Sequence, residues 1–265
     1  MASRSSGTDI AKGWAADLVT CLGFLTRLPM PSGLPFTTLA DAMRAFPWAG
    51  ALIGAVAGLL LATLAALGLP DLVTAGLALA ALAVATGALH EDGLADTADG
   101  FGGGRDLDRK LAIMRDSHIG TYGVLALVLG LLVKTASLAA LTDLSVLHIV
   151  ALLAATGAVS RASIVWFMAS TPPARRDGVA HAAGQPSDFT ARSALISGGV
   201  IALILLLLTQ GLVPALLIIG AGALVAALFR SLSLRQIGGH SGDTCGALQF
   251  LSETAMIVTA AASLS

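Results

Sequence analysis

Charge is what this sequence has least of. Of its 265 residues only 12% are Asp, Glu, Lys or Arg, 56% are hydrophobic, and mean hydropathy is +0.86. A soluble domain carries roughly twice that charge, so a water-soluble fold is excluded and an all-α, polytopic membrane protein is expected. Cysteine is nearly absent: Cys21 and Cys245 lie far apart and give no pattern for a disulfide or zinc framework. Aromatic residues are scarce, with one Tyr and three Trp, so interfacial aromatic belts must be thin. Met1 to Lys12 is polar, with no apolar run behind a basic start, and no cleavable leader is expected. The formal net charge of −1 says little, because the distribution of charge matters more; no nucleic acid is expected as a partner.

What is present is a series of long apolar runs. A spanning helix needs about 20 such residues, and the pattern predicts seven spans, at 47–67, 72–90, 120–141, 146–168, 193–209, 212–229 and 248–264. The last contains Glu253 and is the least apolar. Short connections without Lys or Arg follow the first, third and fifth spans, at Gly68–Asp71, Thr142–Ser145 and Gln210-Gly211. Thirteen of the fifteen basic residues fall on the opposite side, leaving Lys134 and Arg161 inside spans. The positive-inside rule then predicts a cytoplasmic N-terminus and, with seven spans, a C-terminus outside. Residues 9–28 read as an interfacial helix with Trp14, Leu18, Cys21, Leu22 and Leu25 on its apolar face, and Asp17 and Lys12 off it. The prolines at 29, 31 and 35 end that helix. Gly50, Gly54 and Gly58 form a small-residue ladder suited to close helix packing. The whole chain, 1–265, reads as one membrane domain.

The most informative stretch is 90–104, where His90, Glu91, Asp92, Asp96 and Asp99 are interleaved with five glycines. On a helix, Asp92, Asp96 and Asp99 fall within about 60° of one another. Three like charges on one stripe repel unless a cation lies among them, and hard carboxylate oxygens favour Mg²⁺ or Mn²⁺ over zinc. The glycines would let the backbone approach something bulky and anionic. The segment continues through Arg105, Arg109, Lys110, Arg115, Asp116 and His118, with Asp106 as N-cap of a short helix whose apolar face is Leu107, Leu111 and Met114. Beside carboxylates, such basic residues are sensible phosphate ligands. Arg175 and Arg176 serve topology at least as well as they would bind phosphate. Gly238–Ala247 gathers Gly, Ser, Asp243 and Thr before the last span, as an anion or metal site would. Glu253, deep in an apolar stretch, is costly unless it is paired or faces a cavity. Segments 90–119 and 230–247 are thus the expected active-site connections on the cytoplasmic side.

Asp96-x-x-Asp99-Gly100 is similar to the opening of the CDP-alcohol phosphotransferase motif, but Gly103-Gly104 stands where Ala-Arg is needed and the later aspartate spacing is not met. The chain instead resembles the cobalamin synthase (adenosylcobinamide-GDP ribazoletransferase) family. The resemblance runs through Phe24–Pro29, His90–Gly100, Met114–Gly123, Ser160-Arg161-Ala162 and Gly239–Ala247, over nearly the whole chain. It implies a multi-pass inner-membrane enzyme that joins α-ribazole, or its 5′-phosphate, to adenosylcobinamide-GDP with loss of GMP. It also implies Mg²⁺ as the cofactor. On these positions Asp92, Asp96 and Asp99 would hold Mg²⁺, and Arg105, Arg109, Lys110 and Arg115 would stabilise charge on the bridging and leaving oxygens. Asp116 and Asp243 would bind metal or position a hydroxyl, and one of them or His118 would take its proton. The family often has an acid three residues before Glu253; Phe250 stands there, leaving Glu253 alone to bind substrate. The broad corrinoid ring would need an open cytoplasmic cavity, with helix 9–28 and the proline-rich segment as one wall. The lipid bilayer, neighbouring pathway enzymes and a second copy of the chain are compatible partners. An ion-coupled carrier is the rival reading, because intramembrane acids suit ion pathways, but the acids here cluster in connections rather than at mid-depth.

Overall fold

The structure, a computed structural model, describes residues 7–30 and 37–264. Arg4 and positions 31–36 of the proline-rich segment, expected above as part of a cavity wall, lie outside these residues. Twelve α-helices follow one another: α1 (Gly7–Leu25), α2 (Leu39–Ala42), α3 (Phe46–Ala66), α4 (Asp71–Thr86), α5 (Leu89–Gly103), α6 (Leu107–Ile113), α7 (Thr121–Ala139), α8 (Val146–Ser170), α9 (Gly178–Ala183), α10 (Asp188–Gln210), α11 (Leu212–Ile237) and α12 (Gly242–Leu264). A 3-10 turn, Met43–Ala45, joins α2 to α3.

Six helices among the described residues are long and apolar enough to cross a membrane: α2–α3 taken together, α7, α8, α10, α11 and α12. The remaining predicted span, 72–90, corresponds to α4, which reaches a membrane-crossing length only when taken together with α5. It starts at Asp71, whose carboxylate accepts a hydrogen bond from Thr142 in the α7–α8 connection at 2.8 Å, and it ends at the opposite face, which carries α5. Each predicted span coincides with one of these helices, with shifted ends. The second stops at Thr86 rather than 90, α10 and α12 begin earlier, and α11 runs eight residues longer. The segment 230–247, expected to be a connection, is therefore mostly helix, and only Gly238–Ser241 links α11 to α12.

The early stop of α4 has a local cause. Gly87 (φ 66°) and Ala88 (φ 54°) both take the left-handed conformation, and α5 leaves at 90° to α4. A Cβ on Gly87 would lie 2.4 Å from Arg27 Nε, in a backbone conformation that L side chains rarely adopt, so glycine is favoured there. The backbone N–H of Arg27 meanwhile donates to the Ala85 carbonyl at 2.7 Å, satisfying the exposed end of α4. With its run of acids, α5 stands apart from the apolar helices and packs against the N-terminal ends of α7 and α12.

Around these elements α8 is the buried centre, flanked by α3, α10, α11 and α12. The glycine ladder of α3 works as expected, because Gly50 and Gly54 press on α8 so closely that a Cβ at Gly54 would lie 2.0 Å from the Leu153 carbonyl oxygen. Gly54→Ala is expected to cost about 1–3 kcal/mol through forced separation of α3 and α8. A lowered unfolding midpoint in detergent would register it, with Gly76→Ala, which meets nothing within 4 Å, as the unaffected control.

The N-terminal helix carries Cys21 and Leu25 into a cluster with Met43 and Phe46, as its apolar face requires. Asp17 departs from expectation. It is buried, its carboxylate accepting from Thr37 Oγ1 at 2.8 Å and pairing with Arg44, whose guanidinium lies over Trp14. A carboxylate with two partners can enter the apolar face that its spacing alone would deny it.

Candidate active site

The polar connections that are distant in sequence meet at one end of the bundle. His240 donates its backbone N–H to Pro172 at 2.9 Å, and Ala174 donates to His240 at 2.8 Å, clasping the α8–α9 and α11–α12 connections together. His240 is buried edge-on against Phe167, with Nδ1 3.0 Å from Thr171 Oγ1, and burial holds its pKa below the usual histidine range. Ser241 and Thr244 cap α12 reciprocally: Thr244 Oγ1 accepts from the Ser241 N–H at 2.8 Å, and Ser241 Oγ from the Thr244 N–H at 3.2 Å. Those two hydroxyls, expected above to favour an anion or metal, are engaged in capping.

The α5 helix forms as predicted, and Gly93 explains how its acids meet α12. A Cβ at Gly93 would lie 2.6 Å from the Asp243 carbonyl oxygen, so the backbones touch and Asp92 and Asp96 come beside Asp243. The glycines of this stretch thus serve helix contact. Gly100 packs on Met114 and Gly104 on Lys110, which corrects the expectation that they cradle an anion. Burial, then the charges of Asp92 and Asp243, push the Asp96 carboxyl up to about 7, a crowding that an added cation would relieve. Asp92 and Asp96, with Glu91, line an open groove of about 520 Å³ together with Met114, Arg115 and Asp116.

The third aspartate turns elsewhere. Asp99 is buried, and its two carboxylate oxygens accept the backbone N–H groups of Gly120 (2.7 Å) and Gly123 (2.8 Å), so it caps the N-terminus of α7 from a neighbouring helix. Among the described residues no three His, Cys, Asp or Glu side chains are gathered to hold a metal ion, so the single three-aspartate stripe is divided. The donor set on the groove still fits Mg²⁺, which usually takes one or two carboxylates and lets substrate phosphates complete its shell. Asp99→Ala strands two N–H groups, at about 1–3 kcal/mol each. A lowered melting temperature is expected, with the Mg²⁺ concentration for half-maximal activity unchanged. A shifted Mg²⁺ requirement would place Asp99 on the metal instead.

A chain of alternating charge ties the site together. Asp243 Oδ2 meets Arg175 Nη2 at 3.3 Å and Ser241 Oγ at 3.2 Å; Arg175 Nε stands 3.8 Å from Asp177; Asp177 takes both of its oxygens to Arg115 Nη2, at 2.7 and 2.9 Å. Arg175, weighed above as a topology signal, therefore belongs to the site, and its Nη1 is buried without a partner. Asp106 caps α6 as predicted, accepting from the Arg109 N–H at 2.9 Å. Lys110 reaches the Gln236 side chain and the carbonyl that ends α11, while Arg105 and Arg109 are exposed outside the groove lining. Asp116 Oδ1 meets His118 Nδ1 at 2.7 Å, and this contact holds the Asp116 carboxyl below its usual range. Asp116 lines the groove; His118 is exposed beyond it.

Glu253 lies apart from both. It is buried between Lys134 (2.6 Å) and Arg161, linking α7, α8 and α12, and does not line the groove. Its expected substrate contact is replaced by a structural one, and the intramembrane charges that favoured a carrier are gathered in one buried cluster, two cations on a single carboxylate. His90 escaped the sequence reading: it is buried, with Nε2 lacking any hydrogen-bond partner, on the far side of Asp92 from the groove. A histidine directly before an acidic run was the available signal.

A family model described as cobalamin-5-phosphate synthase matches residues 17–261. The chain belongs to that family. A relative from Sinorhizobium medicae named adenosylcobinamide-GDP ribazoletransferase is 47% identical over 257 residues, covering 94% of this chain and 97% of its own. Relatives of the same name from Rhizobium etli (44% over 261 residues, 96% and 99% covered) and Mesorhizobium japonicum (46% over 251 residues, 94% of each) align as fully. No solved structure matches. For a cobalamin synthase family member, the cluster of groove acids and arginines is the part of the fold suited to phosphate chemistry.

Proposed function

We propose that this enzyme joins α-ribazole, or its 5′-phosphate, to adenosylcobinamide-GDP, releasing GMP and giving adenosylcobalamin or its 5′-phosphate. The observation that carries this reading is Asp92 and Asp96, one helical turn apart on the groove wall, crowded against Asp243 and flanked by Arg115 and Arg175. The distribution of Lys and Arg supports the cytoplasmic face of the inner membrane as the place of reaction.

In the transfer, a ribose hydroxyl oxygen bonds to the phosphorus nearest cobinamide. The bond from that phosphorus to the bridging oxygen breaks, and GMP departs with that oxygen and the electron pair. Such a reaction asks the protein for position and for charge stabilisation. Arg115 and Arg175 supply fixed donors for the departing oxygens. Asp243, held by Arg175 beside Asp92 and Asp96, orients the hydroxyl and accepts its proton. Mg²⁺ held by Asp92 and Asp96 would neutralise the diphosphate oxygens.

The test uses purified protein in nanodiscs with adenosylcobinamide-GDP, α-ribazole and Mg²⁺, following GMP and corrinoid by chromatography. Mg²⁺-dependent appearance of both products is the expected result. Folded protein that releases no GMP, while a relative does so in parallel, would sink the reading.

A further inference from the structure

Asp92 stands on a wall between two spaces. One is the open groove; the other is a cavity of about 140 Å³ reaching inward under α1 and α8. Its depth is formed by Phe24, Met43, Phe46, Ile164 and Met168, with the Phe24 and Phe46 rings stacked at 6.1 Å. Its polar lining is limited to His90, Asp92, Arg175 and Asp243. His90 is only 4% exposed, and its Nε2 is the buried polar atom there without a partner besides Arg175 Nη1.

Resting on the function proposed above, we infer that this cavity seats the aromatic base of the ribazole acceptor and selects a benzimidazole-type riboside over a purine one. Four ring systems enter with the substrates; the adenine of the adenosyl group travels with the corrin, and the cavity sorts the other three. The corrin ring is far too broad for it. Guanine carries several donors and acceptors along its edge, and burying them against Phe, Met and Ile leaves them unpaired. A methylated benzimidazole is flat and apolar, with one ring nitrogen left as an acceptor, a single polar demand that one donor of the lining, His90 or Arg175, can meet. With the base in this cavity, the ribose emerges at the rim beside Asp243 and Asp92, where its hydroxyl must meet phosphorus. The guanosine half is then left to the groove and solvent.

The test compares wild type with Ala183→Leu, which adds bulk to the cavity wall from α9. The KM for α-ribazole is expected to rise about tenfold or more, while the KM for adenosylcobinamide-GDP moves less than twofold. In wild type, an azido-benzimidazole α-riboside should photolabel the Phe24–Phe46 or Ile164–Met168 stretches, and α-ribazole should suppress the label where GMP does not. A rise confined to the adenosylcobinamide-GDP KM, or label suppressed by GMP, would assign the cavity to guanosine and overturn the inference. Label mapped elsewhere in wild type would overturn it even if the variant failed to fold. Loss of turnover by wild type itself would instead strike the underlying reaction.

Discussion

Asp96→Asn is expected to lower product formation by about two to three orders of magnitude and to leave the protein at least as stable as wild type. The two effects share one cause. Asp96 is packed beside Asp92 and Asp243, and its carboxyl is raised from 3.8 to about 7 by burial and by those neighbours. A group whose folded pKa is raised in this way destabilises the fold as pH climbs from its unfolded value to its folded one, because the charge it must then carry is unwelcome. The amide removes that charge without changing shape. The thermal advantage of the variant over metal-free wild type should therefore be small near pH 5 and largest above pH 7. Added Mg²⁺ should raise the wild-type midpoint and leave the variant nearly still. Equal turnover by both proteins would remove Asp96 from the reaction, and a variant melting below wild type at pH 8 would contradict the crowding.

Glu253→Ala is expected to be the most destabilising single change, at about 3–5 kcal/mol. Glu253 alone separates two buried cations, Lys134 at 2.6 Å and Arg161 on its other oxygen, and removing it leaves both without a counter-charge in a low-dielectric interior. Folded yield and melting temperature should fall sharply. Lys134→Met in the same chain should restore part of the loss, since one cation then goes with the anion. If Glu253 served substrate instead, the single variant would melt normally and show its defect in KM.

These predictions also mark where the sequence could and could not be read. Hydropathy was enough for the long apolar helices, because a bilayer imposes length and polarity on each segment separately. The helical register of Asp92 and Asp96 was legible for the same local reason. Asp99 was not, because its partners are N–H groups of Gly120 and Gly123 on another helix, and a side chain that caps a distant helix has the same spacing as one that binds metal. Glu253 shows the same limit: an acid in an apolar run signals a cost, but its two partners lie 92 and 119 residues away. Arg175 and the contact of Gly93 with α12 likewise exist only once three connections have met.

The left-handed pair Gly87-Ala88 has a consequence for the lipid. It ends α4 after 16 residues, about 24 Å of helix, against a hydrocarbon layer of about 30 Å. The other apolar helices are longer, so a bilayer that met α4 by thinning would dip on the α5 side. The carboxylates then lie in a basin below the general level of the headgroups, and a large amphiphilic substrate could reach them by settling sideways along the membrane as readily as by descending from water.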